Sequence, residues 1–457
     1  MIKRVHQNLV ILLVIFIAAS SGCTKEDLTT NSTEATEQAP TQSMNAHKKN
    51  YSGEVAARWF DLELQLIKTT QGFTPPVASR ALGYTGVALY ESLVPGMGSY
   101  VSLKSKLGFT YSLPATDEST NYYWPAVANA ALKSIISRMF PTTHVNNKSA
   151  INNLYNEWLM AFTNEIHNED LDQSVAYGEA VANIIFEWSK TDGGHESYSN
   201  NTPAYTLPLF PGAWVPTAPA FQNIPVQAFW GSNRPFLTKN VDANCIPPPP
   251  PAYSISHQSE FYKQAVEVYN TGIQLTDAQK TIALFWADGG GTITPPGHNV
   301  NLATQMIRSR RLSLNEAAGV YAKVGIGVAD AFIACWKGKY KYNLMRPITY
   351  IQQNINPTWT SFIVTPPFPA YASGHATVSG ATAEILSYIF GDKVAFQDRT
   401  HEQLYGIRNY ASFYDAAEEA AVSRLYGGIH FRIDNNEGLE KGKRIGKNIT
   451  AINLKKS

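Results

Sequence analysis

Pro366-Pro367-Phe368-Pro369-Ala370-Tyr371-Ala372-Ser373-Gly374-His375 is a proline-stiffened run that delivers a serine, a glycine and a histidine to the start of a helix. The helix is predicted over Thr377 to Phe390, where Val378, Ala381, Ile385 and Ile389 recur at three- and four-residue spacing. Ser373 stands at the N-cap position, so its hydroxyl and the first main-chain N–H groups converge on one point. A helix start of this kind suits an oxyanion, because unsatisfied donors and the positive end of the dipole meet there. By itself the stretch fits a plain capped helix equally well. Its meaning depends on what the rest of the chain sends to the same place.

Working outward, helical periodicity dominates. Val55, Trp59, Leu62 and Leu66 form one stripe, and Val175, Val181, Ile185 and Trp188 form another. Pro76 to Leu93 and Tyr122 to Phe140 read as helices bounded by prolines. Ser313-Leu314-Asn315-Glu316 has capping-box spacing and opens a helix with Val320, Val324, Val328 and Phe332 four apart, reaching Trp336. Ala81–Glu91 and Gly319–Ala329 look faintly alike, which suggests two related bundles. No convincing strand alternation is visible, and the fold is predicted as mainly α: two packed four-helix-type bundles. Between them, Asp192 to Ser256 holds 12 of the 26 prolines, interspersed with Trp214, Phe221, Phe229, Trp230 and Phe236. A long segment so rich in aromatics reads as an ordered excursion over the helices that helps to wall a cleft.

Composition narrows the function. An apolar fraction of 44% and a charged fraction of 16% over 457 residues support a sizeable core, in one large domain or two intimately packed halves. A net charge of +1 gives no reason to expect a nucleic-acid surface or an acidic substrate. Three cysteines are too few for a disulfide scaffold; Cys245 and Cys335 read as either one bridge or two thiols. Neither His-Glu-x-x-His nor a paired Cys-x-x-Cys suggests zinc. Asp288-Gly289-Gly290-Gly291 lacks the rest of a phosphate loop and reads as a turn, and His298 reads as a loop histidine without a visible partner.

Three stretches in the last third share one chemistry. Lys339 and Arg346 lie seven apart before Pro347; Ser373, Gly374 and His375 follow; then come Ser423-Arg424 and, past Gly427-Gly428, His430 and Asp434. Tyr414 to Tyr426 reads as a helix that breaks at the glycines, with a new helix starting around His430. Four residues apart on one helical face, Asp434 would accept from one nitrogen of His430 and leave the other as ligand or nucleophile. Three fixed cations, neutral donors and two imidazoles are what a tetrahedral or trigonal-bipyramidal oxyanion requires.

Lys-x6-Arg-Pro, Ser-Gly-His and Ser-Arg-x5-His-x3-Asp, in this order from Lys339 to Asp434, resemble the signature of the vanadium-dependent haloperoxidase and type-2 phosphatidic acid phosphatase superfamily. The single departure is Ala372, where the family usually has proline, a change expected to loosen the loop slightly. The resemblance implies that Lys339, Arg346, Ser373, Gly374 and Arg424 bind the equatorial oxygens of vanadate or phosphate. It implies that His430 bonds to vanadium or attacks phosphorus, that His375 is the acid/base group at the cofactor, and that Asp434 orients His430. Trp336, Phe368 and Asp288 would border a halide pocket. Two activities share such a cage. One is oxidation of halide, iodide or bromide favoured, by hydrogen peroxide to a hypohalous acid equivalent that halogenates a small organic acceptor. The other is acid phosphatase chemistry through a phosphohistidine. The flanking Pro366 to Tyr371 resembles chloroperoxidase-type members and favours the first.

The N-terminus reads as an address. Lys3 and Arg4 precede an apolar run from Leu9 to Ala19, too short for a comfortable span. Ser20-Ser21-Gly22-Cys23 resembles a bacterial lipobox, and Thr24-Lys25-Glu26-Asp27 resembles the export signal of surface lipoproteins in Bacteroidetes. The expected organisation is a signal peptide over 1–22 and a polar tether over 23–50 anchored through a lipid on Cys23. The all-α domain follows over 51–457, divided at 51–191, 192–256 and 257–457. The expected location is the outer membrane or cell surface. No further segment reads as long and apolar enough to cross a membrane.

Overall fold

A computed structural model describes residues 50–456. The expected signal peptide, the expected lipid site at Cys23 and the expected tether before Asn50 lie outside the described residues. Five helices come first: α1 (Glu54–Thr69), α2 (Pro75–Leu93), α3 (Trp124–Met139), α4 (Val145–Phe162) and α5 (Asn168–Ser189). After the proline-rich excursion follow α6 (Glu260–Ile273), α7 (Asp277–Phe285), α8 (Thr294–Ser309), α9 (Leu314–Tyr342), α10 (Pro347–Asn354) and α11 (Gly374–Phe390). A two-stranded antiparallel ribbon, β1 (Phe396–Asp398) with β2 (Arg408–Tyr410), brackets the single-turn α12 (Glu402–Tyr405). The chain ends in α13 (Phe413–Tyr426) and α14 (Arg432–Thr450). The fold is mainly α, as its periodicities predicted. The ribbon and α4 are among the elements that escaped them. With three residues each, the strands are too short to show alternation, and α4 buries only Ile151, Leu154 and Phe162, too few for a visible stripe.

α9 is the axle of the fold. The Ser313–Glu316 capping box opens it as predicted, and Val320, Val324, Val328, Phe332 and Trp336 are all buried. By length and composition α9 would pass as a membrane span, contrary to the reading that no further segment does; its apolar window is wholly buried, so it is a core helix. The two faintly similar segments pack on each other. Gly83 and Gly86 of α2 lie against α9, and a Cβ on Gly86 would stand 2.4 Å from the Tyr321 carbonyl. The two helical groups are therefore joined along the α2–α9 contact, and the described residues form one unit.

On its other side α9 packs against α11, which lies along α14. Gly438, Gly442 and Gly446 make a four-residue stripe on α14, and their missing side chains let its backbone approach Ser373, Thr377 and Ala381. A Cβ on Gly442 would fall 2.1 Å from the Thr377 carbonyl. Gly442→Val is accordingly expected to destabilise the fold by about 3 kcal/mol or more, at or beyond the top of the usual overpacking range. Urea unfolding checks this; an unchanged midpoint would show that α14 can move away from α11 freely.

The excursion is ordered because polar groups pin it. Asp330 of α9 accepts from the backbone N–H of Phe236 (2.7 Å) and Leu237 (3.0 Å) and from Asn240 (2.8 Å). Trp214, Trp230 and Phe236 are buried, whereas Phe221 and Phe229 are exposed. Cys245 and Cys335 are both free thiols, separately buried. The loop at Ala372 is not loose: Tyr371 and Ala372 are buried, and the Tyr371 hydroxyl donates to the Pro248 carbonyl at 2.8 Å.

Candidate active site

The three motifs converge because each sits at the end of a helix. Lys339 lies near the end of α9, and Arg346 caps the N-terminus of α10. Ser373 is the N-cap of α11, its hydroxyl accepting from the Ala376 N–H, with Gly374 and His375 in the first turn. Arg424 closes α13, and His430 lies in the turn before α14. Together with Asp434 these residues line or underlie the floor of a cavity of about 700 Å³ whose wall includes Gly374, His375, Arg424 and His430.

His430 and Asp434 meet, though not on one helical face. His430 precedes the helix, which begins at Arg432 after the N-cap Phe431. Asp434, in the first turn, reaches back: its Oδ2 accepts from the Phe431 N–H (3.1 Å) and from His430 Nδ1 (2.8 Å). Serving as the helix cap places the carboxylate where it can hold the ring. Arg346 Nη1 donates to His430 Nε2 at 3.2 Å. Arginine can only donate, so Nδ1 carries the proton and Nε2 presents its lone pair. By the same logic Arg424 Nη1, 3.3 Å from His375 Nε2, leaves that nitrogen as an acceptor.

The remaining donors fix the cations. Lys339 donates to the carbonyls of Pro369 (2.9 Å) and Ala370 (2.7 Å). Arg346 donates to those of Phe368 (2.8 Å) and Ile429 (2.9 Å). The segment Pro366–Ala370, stiffened by three prolines, thus turns the backbone so that its carbonyls orient the cations. Arg346 and Lys339 also flank the Phe368 ring, at 4.9 and 5.3 Å from its centroid.

Burial dominates the electrostatics. It lowers the pKa of Arg346 to about 9 and of Arg424 to about 10, and lowers that of Lys339 as well. Burial, then the neighbouring Arg346 and Lys339, pushes His430 well below the usual imidazole range; burial and Arg424 do the same to His375. Burial raises the Asp434 carboxyl. Each shift reflects the cost of holding a charge, of either sign, out of water. Arg346 Nη2 is buried without a partner. An orphaned guanidinium donor beside two other buried cations is what a bound oxyanion satisfies, so the residues present fit vanadate.

The three residues assigned to a halide pocket all line the cavity. Trp336 and Phe368 form a ring pair 5.0 Å apart, and Trp336 Nε1 donates to the Val226 carbonyl at 3.3 Å. Asp288 is differently employed. Its two oxygens lie 2.9 Å from His298 Nδ1 and 2.8 Å from His401 Nε2, and Oδ2 is 4.0 Å from His375 Nε2. His298 is therefore neither in a loop nor without partners; it sits fully buried in α8, with its second nitrogen 2.8 Å from Asp398. Thr294-Pro295-Pro296 was a legible helix start, since proline suits the first helical turn. The partners themselves left no local signal. The same holds for the turn between α1 and α2, which with Asn201 and Val226 of the excursion also lines the cavity.

Known proteins resemble this chain along most of its length. Residues 319–455 match the family described as VCPO second helical-bundle domain. The vanadium chloroperoxidase of Curvularia inaequalis is 25% identical, covering 82% of this chain and 77% of that protein. The crystal structure of a holo-type bacterial vanadium-dependent chloroperoxidase superposes with a TM-score of 0.64 at 15% identity over 84% of this chain and 93% of that one, a likeness of fold. The first bacterial vanadium-dependent iodoperoxidase solved by crystallography superposes with a TM-score of 0.80 at 32% identity, over 90% of this chain and 98% of that one. Similarity at that level along nearly the whole of a solved enzyme, added to a cage that fits an oxyanion, makes this chain a member of the vanadium-dependent haloperoxidases, whose cofactor is vanadate.

Proposed function

We propose that this haloperoxidase acts on iodide first, with bromide as the harder substrate, and halogenates small organic acceptors that reach the cavity. The likeness to an iodoperoxidase supports the halide reading. So does the aromatic wall of Trp336 and Phe368, which offers polarisable surface to a large, weakly hydrated anion beside two buried cations. Lys339, Arg346, Ser373, Gly374 and Arg424 would hold the oxygens of vanadate, and His430 Nε2 would be the ligand to vanadium. When bound, the cofactor supplies the Lewis acidity that activates hydrogen peroxide toward halide.

The chain's own residues do the rest. Asp434 keeps the proton on His430 Nδ1, so the lone pair of Nε2 stays aimed at the cofactor. His375 Nε2, held unprotonated by Arg424, takes the proton of incoming peroxide. Lys339 is fixed by two carbonyls at a point from which its ammonium stabilises negative charge developing on oxygen. The apolar wall excludes water around the reacting halide.

The assay is purified protein with orthovanadate, peroxide and iodide, followed by triiodide absorbance. Turnover that requires vanadate is expected, with a lower rate on bromide. Absence of triiodide together with vanadate-inhibited release of phosphate from a simple monoester would reassign the cage to a phosphatase.

A further inference from the structure

Behind His375 lies a second buried cluster. Asp398 Oδ2, His298 Nε2, His298 Nδ1 and Asp288 Oδ2 form a line with contacts of 2.8 and 2.9 Å, and all three residues are buried. Their outer ends are tied down. Asp398 Oδ1 accepts from the Thr400 N–H at 2.9 Å, and Asp288 Oδ1 meets His401 Nε2 at 2.8 Å. The inner oxygen of Asp288 faces His375, and Arg424 lies within electrostatic reach. Trp286 stacks on the His298 ring, centroids 4.2 Å apart and planes 10° from parallel, and Phe285 meets it edge to face. Beyond Trp286, Glu419 accepts from its Nε1 and is itself paired with Arg408.

A neutral imidazole carries one N–H, so between two carboxylates it would set a lone pair against an ionised oxygen. With both nitrogens protonated, it satisfies each carboxylate and presents a cation to the face of Trp286. Burial alone would lower the basicity of His298, but the flanking carboxylates outweigh it and raise its pKa to about 10. The same partners hold Asp288 well below the usual carboxylate range despite its burial. A metal ion on Asp288, His298 and His401 would compete with this arrangement; their ligand atoms are close enough to one another, but the other nitrogen of His298 is already committed to Asp398.

We propose that His298 is a permanently protonated positioning residue: clamped between Asp398 and Asp288, it keeps Asp288 ionised and fixed beside His375, giving the proton-transfer histidine a stationary anionic neighbour. The assignment of proton transfer to His375 rests on the vanadate-site reading above; the charge on His298 does not. The chain links β1, α8 and the loop after α7, so the ribbon and α8 become part of the active-site support rather than remote packing.

The direct test is nitrogen NMR of the vanadate-free full-length protein labelled at histidine, with His298 assigned by the signals lost in His298→Gln. Both ring nitrogens of His298 are expected in the protonated form at pH 8, where an ordinary histidine is neutral. A neutral tautomer, or a transition metal retained at one equivalent after purification, overturns the proposal. Asp398→Asn, which leaves Asp288 and His298 in contact, provides the kinetic arm. At saturating vanadate, kcat is expected to fall about tenfold with the KM for peroxide and the vanadate Kd changed by less than about threefold. Unchanged kcat, or weakened vanadate binding as the main effect, would also overturn it by assigning the cluster a packing role. Failure of the vanadate-site reading shows itself elsewhere, as activity surviving His430→Ala, and leaves the NMR result intact.

Discussion

Replacing His430 with alanine is expected to abolish vanadate-dependent iodide oxidation, lowering kcat/KM by about 10³-fold or more. Nε2 presents its lone pair beside Arg346 while the other ring nitrogen is held by a carboxylate, which is the arrangement the proposed vanadium ligand needs. Its loss would remove the proposed bond to vanadium and leave Asp434 a buried carboxylate without its histidine; loss of such an orienting partner alone typically costs about 10–100-fold in metal affinity or activity. Vanadate titration of the variant, followed by tryptophan fluorescence or vanadium NMR, should show no saturable tight binding. The fold should persist, because the Phe431 N–H still caps onto Asp434. Retained turnover would mean that the site has been placed wrongly.

His375→Ala is expected to act on a different step. Its Nε2 is only 3.3 Å from Arg424 and partly open to the cavity, whereas the three cations and His430 are otherwise complete without it. A fall in kcat of about 10²–10⁴-fold is expected, the span of a removed general base. Vanadate should still bind, because Arg346, Lys339, Ser373 and Gly374 are untouched. Measuring vanadate Kd and kcat on the same preparation separates the two roles. Equal losses in both would make His375 a cofactor-holding residue rather than a proton carrier.

The cage was legible because each part of it is local. Ser373 caps the helix that the Val378 to Ile389 stripe announces, and this fixes Gly374 and His375 in its first turn. Asp434 caps the helix that follows His430, so their pairing follows from four residues of chain even though the predicted helical face was the wrong reason for it. Lys339 and Arg346 are separated by a helix end, where Asn343 at φ 44° turns the chain and Pro347 starts the next helix. Nothing local announced the cluster behind His375. His298 lies ten residues from one carboxylate and a hundred from the other, and neither spacing is a period of any element.

By itself the sequence determined a mainly α chain, the capped starts of its key helices, and the eight residues of an oxyanion cage in their order. These follow from short-range chemistry, in which hydroxyl caps, prolines and apolar spacing act over a few residues. Tertiary structure alone decided the rest: which wall α1, α2 and the proline-rich excursion give the cavity, how closely the glycines of α14 let it approach α11, and which imidazoles are neutral or charged. Those outcomes depend on burial and on distances between groups far apart in the chain, because the cost of a charge is set by what surrounds it after folding. The stretch Pro366 to His375 shows the division. Its residues mark it as an anion-binding helix start, and only the fold surrounds it with three buried cations and a second carboxylate–histidine pair.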